Sequence, residues 1–322
     1  MCFCAPSVLA QALSPVISST ELSAILGRDT SIALLDIRPL NDYRKGHLPE
    51  AQQLWRPDIR DGEAPIKGLR ASAQKLSAML QSRGVDAGDR LVVYDGKGNP
   101  DAARLWWMLT NYGYNKVQLL DGGLMAWDSA GLRIDTGLVP VDTGSFVLGT
   151  TQPDWCFASL EDVQSAMADS SIVLLDTRTE AEYTGDFQKK GAARAGRIPR
   201  SRFFDWSFAI DYTGNKALLP LDEIRKRLAL IGVDSTMRVI TYCQSGVRSA
   251  HTTFVLTQLL GYRDVRNYDG SWIEWSQREE LSVETGPVPV FVEVDTVDWW
   301  DLWYFWVPLV GGVLLVARKL RR

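Results

Sequence analysis

Residues 238–256 read RVITYCQSGVRSAHTTFVL. The stretch Arg238–Tyr242 has the look of a buried strand, and Ser249–Leu260 places Phe254, Val255, Leu259 and Leu260 on one face of a helix. Between them, Cys243-Gln244-Ser245-Gly246-Val247-Arg248 forms a turn with a thiol at its mouth. Ligands of parallel α/β sheets bind outside the carboxyl ends of strands. The amides of such a loop converge on an anion, and the helix N-terminus adds partial positive charge. The same field stabilises a thiolate, so Cys243 is expected to have a lowered pKa and to be nucleophilic, with help from Arg248.

The stretch has a partner earlier in the chain, RLVVYDGKGNPDAARLWWML at 90–109, and two further blocks repeat in the same order. LLDIRPLNDYRKGHLP at 34–49 answers LLDTRTEAEYTG at 174–185 together with GRIP at 196–199, and GYNKVQLLDGGLMAW at 113–127 answers GYRDVRNYDGSWIEW at 261–275. Asp36 matches Asp176, an offset of 140; Asp95 matches Cys243 and Asp121 matches Asp269, both offsets of 148. The second copy therefore carries an insertion of about eight residues between its first two blocks. Short apolar runs at Ile32–Leu35, Leu91–Tyr94, Ile172–Leu175 and Val239–Tyr242 alternate with helical patterns at Ser72–Arg83 and Leu221–Leu230. That alternation predicts two α/β domains, each with a parallel sheet covered by helices on both faces. The domains are expected at 13–136 and 155–286, with linkers at 137–154 and 287–298. Ser145–Leu148, inside the first linker, could form a short strand.

Composition narrows the chemistry. With 35 Lys+Arg against 39 Asp+Glu the 322-residue chain has formal charge −4, which offers no basic field for a phosphate backbone and predicts no nucleic-acid partner. Two histidines, His47 and His251, leave little material for a metal centre or a serine-protease relay, and no metal or cofactor is expected. Four cysteines without paired metal spacing form no disulfide framework; Cys156 reads as an inert buried residue. Arg248 follows Cys243 by five residues, one short of the C-x5-R spacing of cysteine phosphatases, so the ring of amides suits a single sulfur better than a phosphoryl group.

Asp176-Thr177-Arg178, Gly196-Arg197-Ile198-Pro199, the Cys243–Arg248 loop and Tyr268-Asp269-Gly270-Ser271-Trp272, echoed in the first copy, resemble the rhodanese (sulfurtransferase) family in its tandem two-domain form, over residues 14–286. The resemblance implies a transferase in which Cys243 accepts a sulfane sulfur as a persulfide and passes it to cyanide or a thiol. It implies that Gln244, Ser245, Gly246, Val247 and Arg248 bind the substrate, with Arg248 orienting the donor's anionic end and Arg197 a further candidate. Asp95 replaces the cysteine in the first copy, which implies an inactive domain that contributes one wall of the cleft. Asp36/Arg38 and Asp176/Arg178 read as structural pairs. The loop CQSGVR matches neither the thiosulfate-type nor the mercaptopyruvate-type form. Glu182 stands where mercaptopyruvate-type members carry a carboxylate-binding arginine, which favours thiosulfate or another inorganic sulfane donor. Arg194, Arg197, Arg200 and Arg202 could line an anion-attracting rim or simply be solvated. A non-enzymatic tandem module, acting as a sulfur or redox sensor or as a docking unit, is the alternative.

The ends carry separate expectations. Residues 1–12 end in Ala10-Gln11-Ala12 and read as the remnant of an export signal without its basic start. Between Asp301 and Arg318 the run LWYFWVPLVGGVLLVA is uncharged, with Trp299 and Trp300 before it and four cations after it. This predicts a transmembrane helix at 299–320, with the cationic end cytoplasmic and the body periplasmic or otherwise extracytoplasmic.

Overall fold

The computed structural model describes residues 13–149 and 155–289. The expected export-signal remnant and transmembrane helix lie outside those residues. No helix among the described residues is long and apolar enough to cross a membrane.

The two copies fold alike. The first holds β1 (Val16–Ile17), α1 (Ser19–Ile25), β2 (Ile32–Asp36), α2 (Leu40–Lys45), β3 (Gln52–Gln53), α3 (Ala73–Gln81), β4 (Arg90–Tyr94), α4 (Pro100–Asn111), β5 (Val117–Leu120) and α5 (Gly123–Ser129). The second holds β6 (Phe157–Ala158), α6 (Leu160–Ala168), β7 (Ile172–Asp176), α7 (Glu180–Thr184), β8 (Arg202–Phe203), α8 (Leu221–Ala229), β9 (Arg238–Tyr242), α9 (Val247–Phe254), β10 (Val265–Tyr268) and α10 (Ser271–Gln277). The sheets have orders β1-β5-β4-β2-β3 and β6-β10-β9-β7-β8, and every pairing is parallel. Burial of both faces explains why the central strands are apolar runs rather than alternating ones. In register, Asp36 lies beside Tyr94 and Asp176 beside Tyr242, so each aspartate stands at the strand end where a cysteine-type loop begins. Arg178 binds Asp176 at 3.0 and 2.6 Å and donates to the Gly196 carbonyl at 2.7 Å; Arg38 does the same with Asp36 and Gly46.

Two local readings change. Ser145–Leu148 joins no strand of either sheet; it runs over the first domain, burying Phe146 and Leu148, while the Phe146 amide donates to the Val85 carbonyl at 3.0 Å. The helix expected at 249–260 is α9 followed by a π-helical turn at Val255–Leu259. There the Thr257 hydroxyl donates to the Thr253 carbonyl at 2.8 Å, and the Leu260 amide reaches back to Val255. Such side-chain competition for a helix carbonyl favours a local widening of the turn.

The halves meet through the helices that follow the two equivalent loops. Helix α4 packs on α9 and every one of its residues is buried, with Trp106 edge-on to Phe254 at 4.9 Å. Asp121 and Asp269, equivalent by the repeat, each accept a backbone amide from the other domain: Leu218 N–H at 2.8 Å and Arg70 N–H at 3.1 Å. Arg104 of α4 has no such counterpart. Its buried guanidinium pairs with Asp269 and donates to the Gly68 and Gly246 carbonyls at 3.0 and 3.2 Å, so the first domain holds the loop of the second.

Candidate active site

Cys243 leaves the carboxyl end of β9, and its main chain is pinned by α10: the Cys243 amide donates to Ser271 Oγ at 3.2 Å, its carbonyl accepts from Trp272 N–H at 2.9 Å, and the Gln244 carbonyl accepts from Ile273 N–H at 3.0 Å. Gly246 turns the chain at φ 73° into α9; a Cβ there would sit 2.7 Å from Arg104 Nη1 and 2.9 Å from the Asp269 carbonyl, so the turn needs glycine. The Gly246 carbonyl also accepts from Asn267 Nδ2 at 3.0 Å. A loop held at this many points presents its amides without reorganisation.

Cys243 is 1% exposed, yet its surroundings are donors as well as apolar walls. Burial pushes the thiol pKa up. The Arg248 charge, the Ser249 hydroxyl and the Ser249 and Ser245 amides outweigh it and hold the thiol below its ordinary range. Cys156 is buried elsewhere in the core, with its Sγ 3.4 Å from Asn111 Oδ1.

Arg248 departs from its expected role. Its two terminal nitrogens bind the two Glu182 oxygens at 2.6 and 2.9 Å, a bidentate pair that leaves little of the fork free to take a donor's anion. Glu182 sits in α7, capping its own helix through Thr179. Burial pushes its carboxyl up, but the Arg248 hydrogen bonds and charge prevail and hold it down to about 2. Arg248 therefore lends its charge to the cysteine while its fork is taken up by α7.

Further cations line a cavity of about 150 Å³ between the domains. Ser245 and Val247 of the loop line one side, Ile59, Met108 and Ile273 add apolar surface, and Arg56, Arg60, Lys67 and Arg104 supply the charge. The arrangement is a nucleophile in an amide cradle beside a cationic cleft.

The family described as the rhodanese-like domain matches residues 18–130 and again 159–278. The chain belongs to the rhodanese family. Similar proteins include "Putative thiosulfate sulfurtransferase SseA" of Mycobacterium bovis, 33% identical over 278 residues that span 84% of this chain and 88% of that protein. The "Putative thiosulfate sulfurtransferase" of Mycobacterium tuberculosis H37Rv is 33% identical over 251 residues, 76% of this chain and 88% of that one. Among solved structures, wild-type EanB shares the fold at TM-score 0.73 and 22% identity, covering 85% of this chain and 70% of its own. The anaerobic ergothioneine biosynthesis enzyme from Chlorobium limicola, in complex with trimethyl histidine, shares it at TM-score 0.72 and 23% identity, covering 85% and 71%.

In the first domain the equivalent loop closes on its own side chain. Asp95 Oδ1 accepts the Lys97 and Asn99 amides at 2.7 and 2.9 Å, and Oδ2 accepts the Asp101 and Ala102 amides at 2.9 and 3.4 Å. The carboxylate itself occupies the anion cradle. Burial, then the neighbouring Asp101, push its pKa up to about 6. The matching cavity shrinks to about 10 Å³, because the 210–218 segment of the second domain fills it; a Cβ on Gly98 would lie 2.4 Å from Ile210 Cδ1. We expect Asp95→Cys to gain no second sulfur. Intact-mass measurement after thiosulfate treatment should show one added sulfur; two would mean that this rhodanese domain is silent only for want of a thiol.

The loop residues are brought together as expected, with Gln244 facing away from the cavity toward the Lys190 carbonyl at 3.4 Å. The arginine rim is not. Arg197 donates to the Gly286 carbonyl at 2.8 Å, lies 3.5 Å from Glu284 and stacks over Tyr183 at 4.4 Å, a latch on the end of the domain rather than a substrate ligand. Arg194 caps α10 through the Trp275, Ser276 and Arg278 carbonyls, Arg200 donates to Met167, and Arg202 to Ile231 and Gly232. Sequence reasoning missed Arg56 and Lys189. Lys189 is held below the usual lysine range by burial first and then by Arg248, while Glu182 and Cys243 oppose that shift and Arg56 adds to it. Its one signal was the eight-residue insertion, which carries Phe187 to Lys190 into the second copy only.

Proposed function

We propose that the protein is a sulfurtransferase that takes a sulfane sulfur from an anionic donor, with thiosulfate the favoured one, and holds it as a Cys243 persulfide. The observation that carries this reading is the thiolate-stabilising ring around Cys243: the Ser245 and Ser249 amides and the Arg248 charge. In the first half-reaction the thiolate attacks the outer sulfur of thiosulfate. A sulfur–sulfur bond forms to Cys243 as the donor's own breaks, and its electron pair leaves with sulfite. The loop amides then face the negative terminal sulfur of the persulfide. In the second half-reaction cyanide or a thiolate attacks that terminal sulfur, and the Cys243 thiolate returns as the leaving group. The names of the mycobacterial relatives support thiosulfate as donor, and Glu182 beside Arg248 makes a binding site for a donor's carboxylate unfavourable there. The test is thiocyanate formation from thiosulfate and cyanide by the purified protein; a preparation that forms none contradicts the reading.

We also propose that residues 299–320 form a C-terminal membrane anchor, with the two domains on the extracytoplasmic side. The uncharged run between Asp301 and Arg318, the tryptophans before it and the cations after it support this. The full chain should stay with membranes through alkaline carbonate washing, and a chain ending at residue 298 should not. A full chain released by the wash contradicts the anchor.

A further inference from the structure

Since Arg248 is held by Glu182, further charge is needed to receive the donor, and, besides Lys189 near the nucleophile, the cavity offers it. Of the four cations lining it, Arg104 is neutralised by Asp269 and Arg56 by Asp101, at 2.6 Å. Arg60 and Lys67 are exposed and have no ion-pair partner among the described residues. Both belong to the segment of the first domain that lies against the active loop: a Cβ on Gly68 would be 3.1 Å from Ser245 Cβ, two residues from the nucleophile. The corresponding segment of the second domain carries Ile210 at its bridge position, where the first carries Arg60, and it closes the silent cavity instead of charging an open one. Ile59 and Met108 line the same cavity, so the two unpaired cations stand at the edge of a partly apolar cleft.

We propose that Arg60 and Lys67 are the specificity-determining residues for the donor: the catalytically silent domain supplies the anion site that receives the sulfonate end of thiosulfate and retains charge for the departing sulfite. This rests on the sulfurtransferase reading of Cys243 and adds to it a role for the first domain. Thiosulfate carries two negative charges and methanethiosulfonate one, while the thiolate attacks the same outer sulfur in each. The cation pair should therefore favour the first donor over the second.

The experiment compares kcat/KM for the two donors in the full chain and in Arg60→Gln, Lys67→Met, the double variant and Lys67→Arg. The double variant is expected to lose roughly 10- to 100-fold on thiosulfate, chiefly through KM, and no more than about 5-fold on methanethiosulfonate. Its dependence on salt should flatten, and Lys67→Arg should keep the wild-type preference. A structural role would lower both donors in parallel, and that result overturns the proposal. So does a double variant that discriminates as the wild type does. A wild-type protein that takes sulfur from neither donor removes the sulfurtransferase reading itself, and this proposal with it.

Discussion

Cys243→Ala is expected to lower thiosulfate-to-cyanide sulfur transfer by about a thousandfold or more, leaving only what binding in the cleft contributes. The effect is large because no other group can take over. Cys156 is buried in the core, the first domain offers Asp95 in place of a thiol, and both described histidines are buried, with His251 driven by burial down to about 4 and so neutral. The change removes a small buried side chain, so stability should fall by no more than about 1–2 kcal/mol, and folded, inactive protein is the expected outcome. Activity retained in this variant would mean that sulfur moves without a covalent stop on Cys243.

Arg248→Met is expected to cost about 100-fold in turnover at neutral pH and to recover in part as the pH is raised. The cation that favours the thiolate is gone, burial continues to raise the thiol pKa, and Glu182 loses its bidentate partner and keeps only the Lys189 charge. Below its pKa a thiol loses about tenfold of its thiolate for each pH unit, so the acid limb of the rate profile should move to higher pH. Stability changes too. With Arg248 present, the Glu182 carboxyl lies at about 2 in the folded chain, below its unfolded value of about 4.3. The pair therefore stabilises the fold above that unfolded value, and its contribution fades as the pH falls toward 2. Breaking it should cost about 3 kcal/mol at neutral pH, visible as a lower urea midpoint, and should flatten the acid end of the stability profile. An unmoved rate profile would show that Arg248 serves only to anchor α7.

The parts legible in the sequence share a property: they are local. A strand, a glycine turn and a helix start are written in consecutive residues, and the repeat displays that unit twice, so the parallel sheets and the loop around Cys243 could be read directly. The pairing of Arg248 with Glu182 joins residues 66 apart, and Arg104 reaches Asp269 across 165. Neither distance leaves a trace in periodicity or spacing. The burial of helix α4 is hidden for a related reason. Its sequence mixes Asp101, Arg104 and Asn111 with tryptophans, as a half-exposed helix would, yet its own sheet and α9 of the second domain together bury all of it. The arginines at 194–202 looked like a charged rim because side-chain direction is invisible in sequence; in the fold they are spent on carbonyls at element ends. Arg60 and Lys67 were unremarkable because their setting comes from the other domain's loop.

The central claim is a sulfur atom covalently held on one residue, and peptide-level mass measurement of the thiosulfate-treated protein tests it most directly. The account predicts about 32 Da added to the peptide containing Cys243, removed by cyanide with one thiocyanate formed for each sulfur lost. Unmodified Cys243 in protein that still makes thiocyanate, or the added sulfur found on another residue, would contradict it.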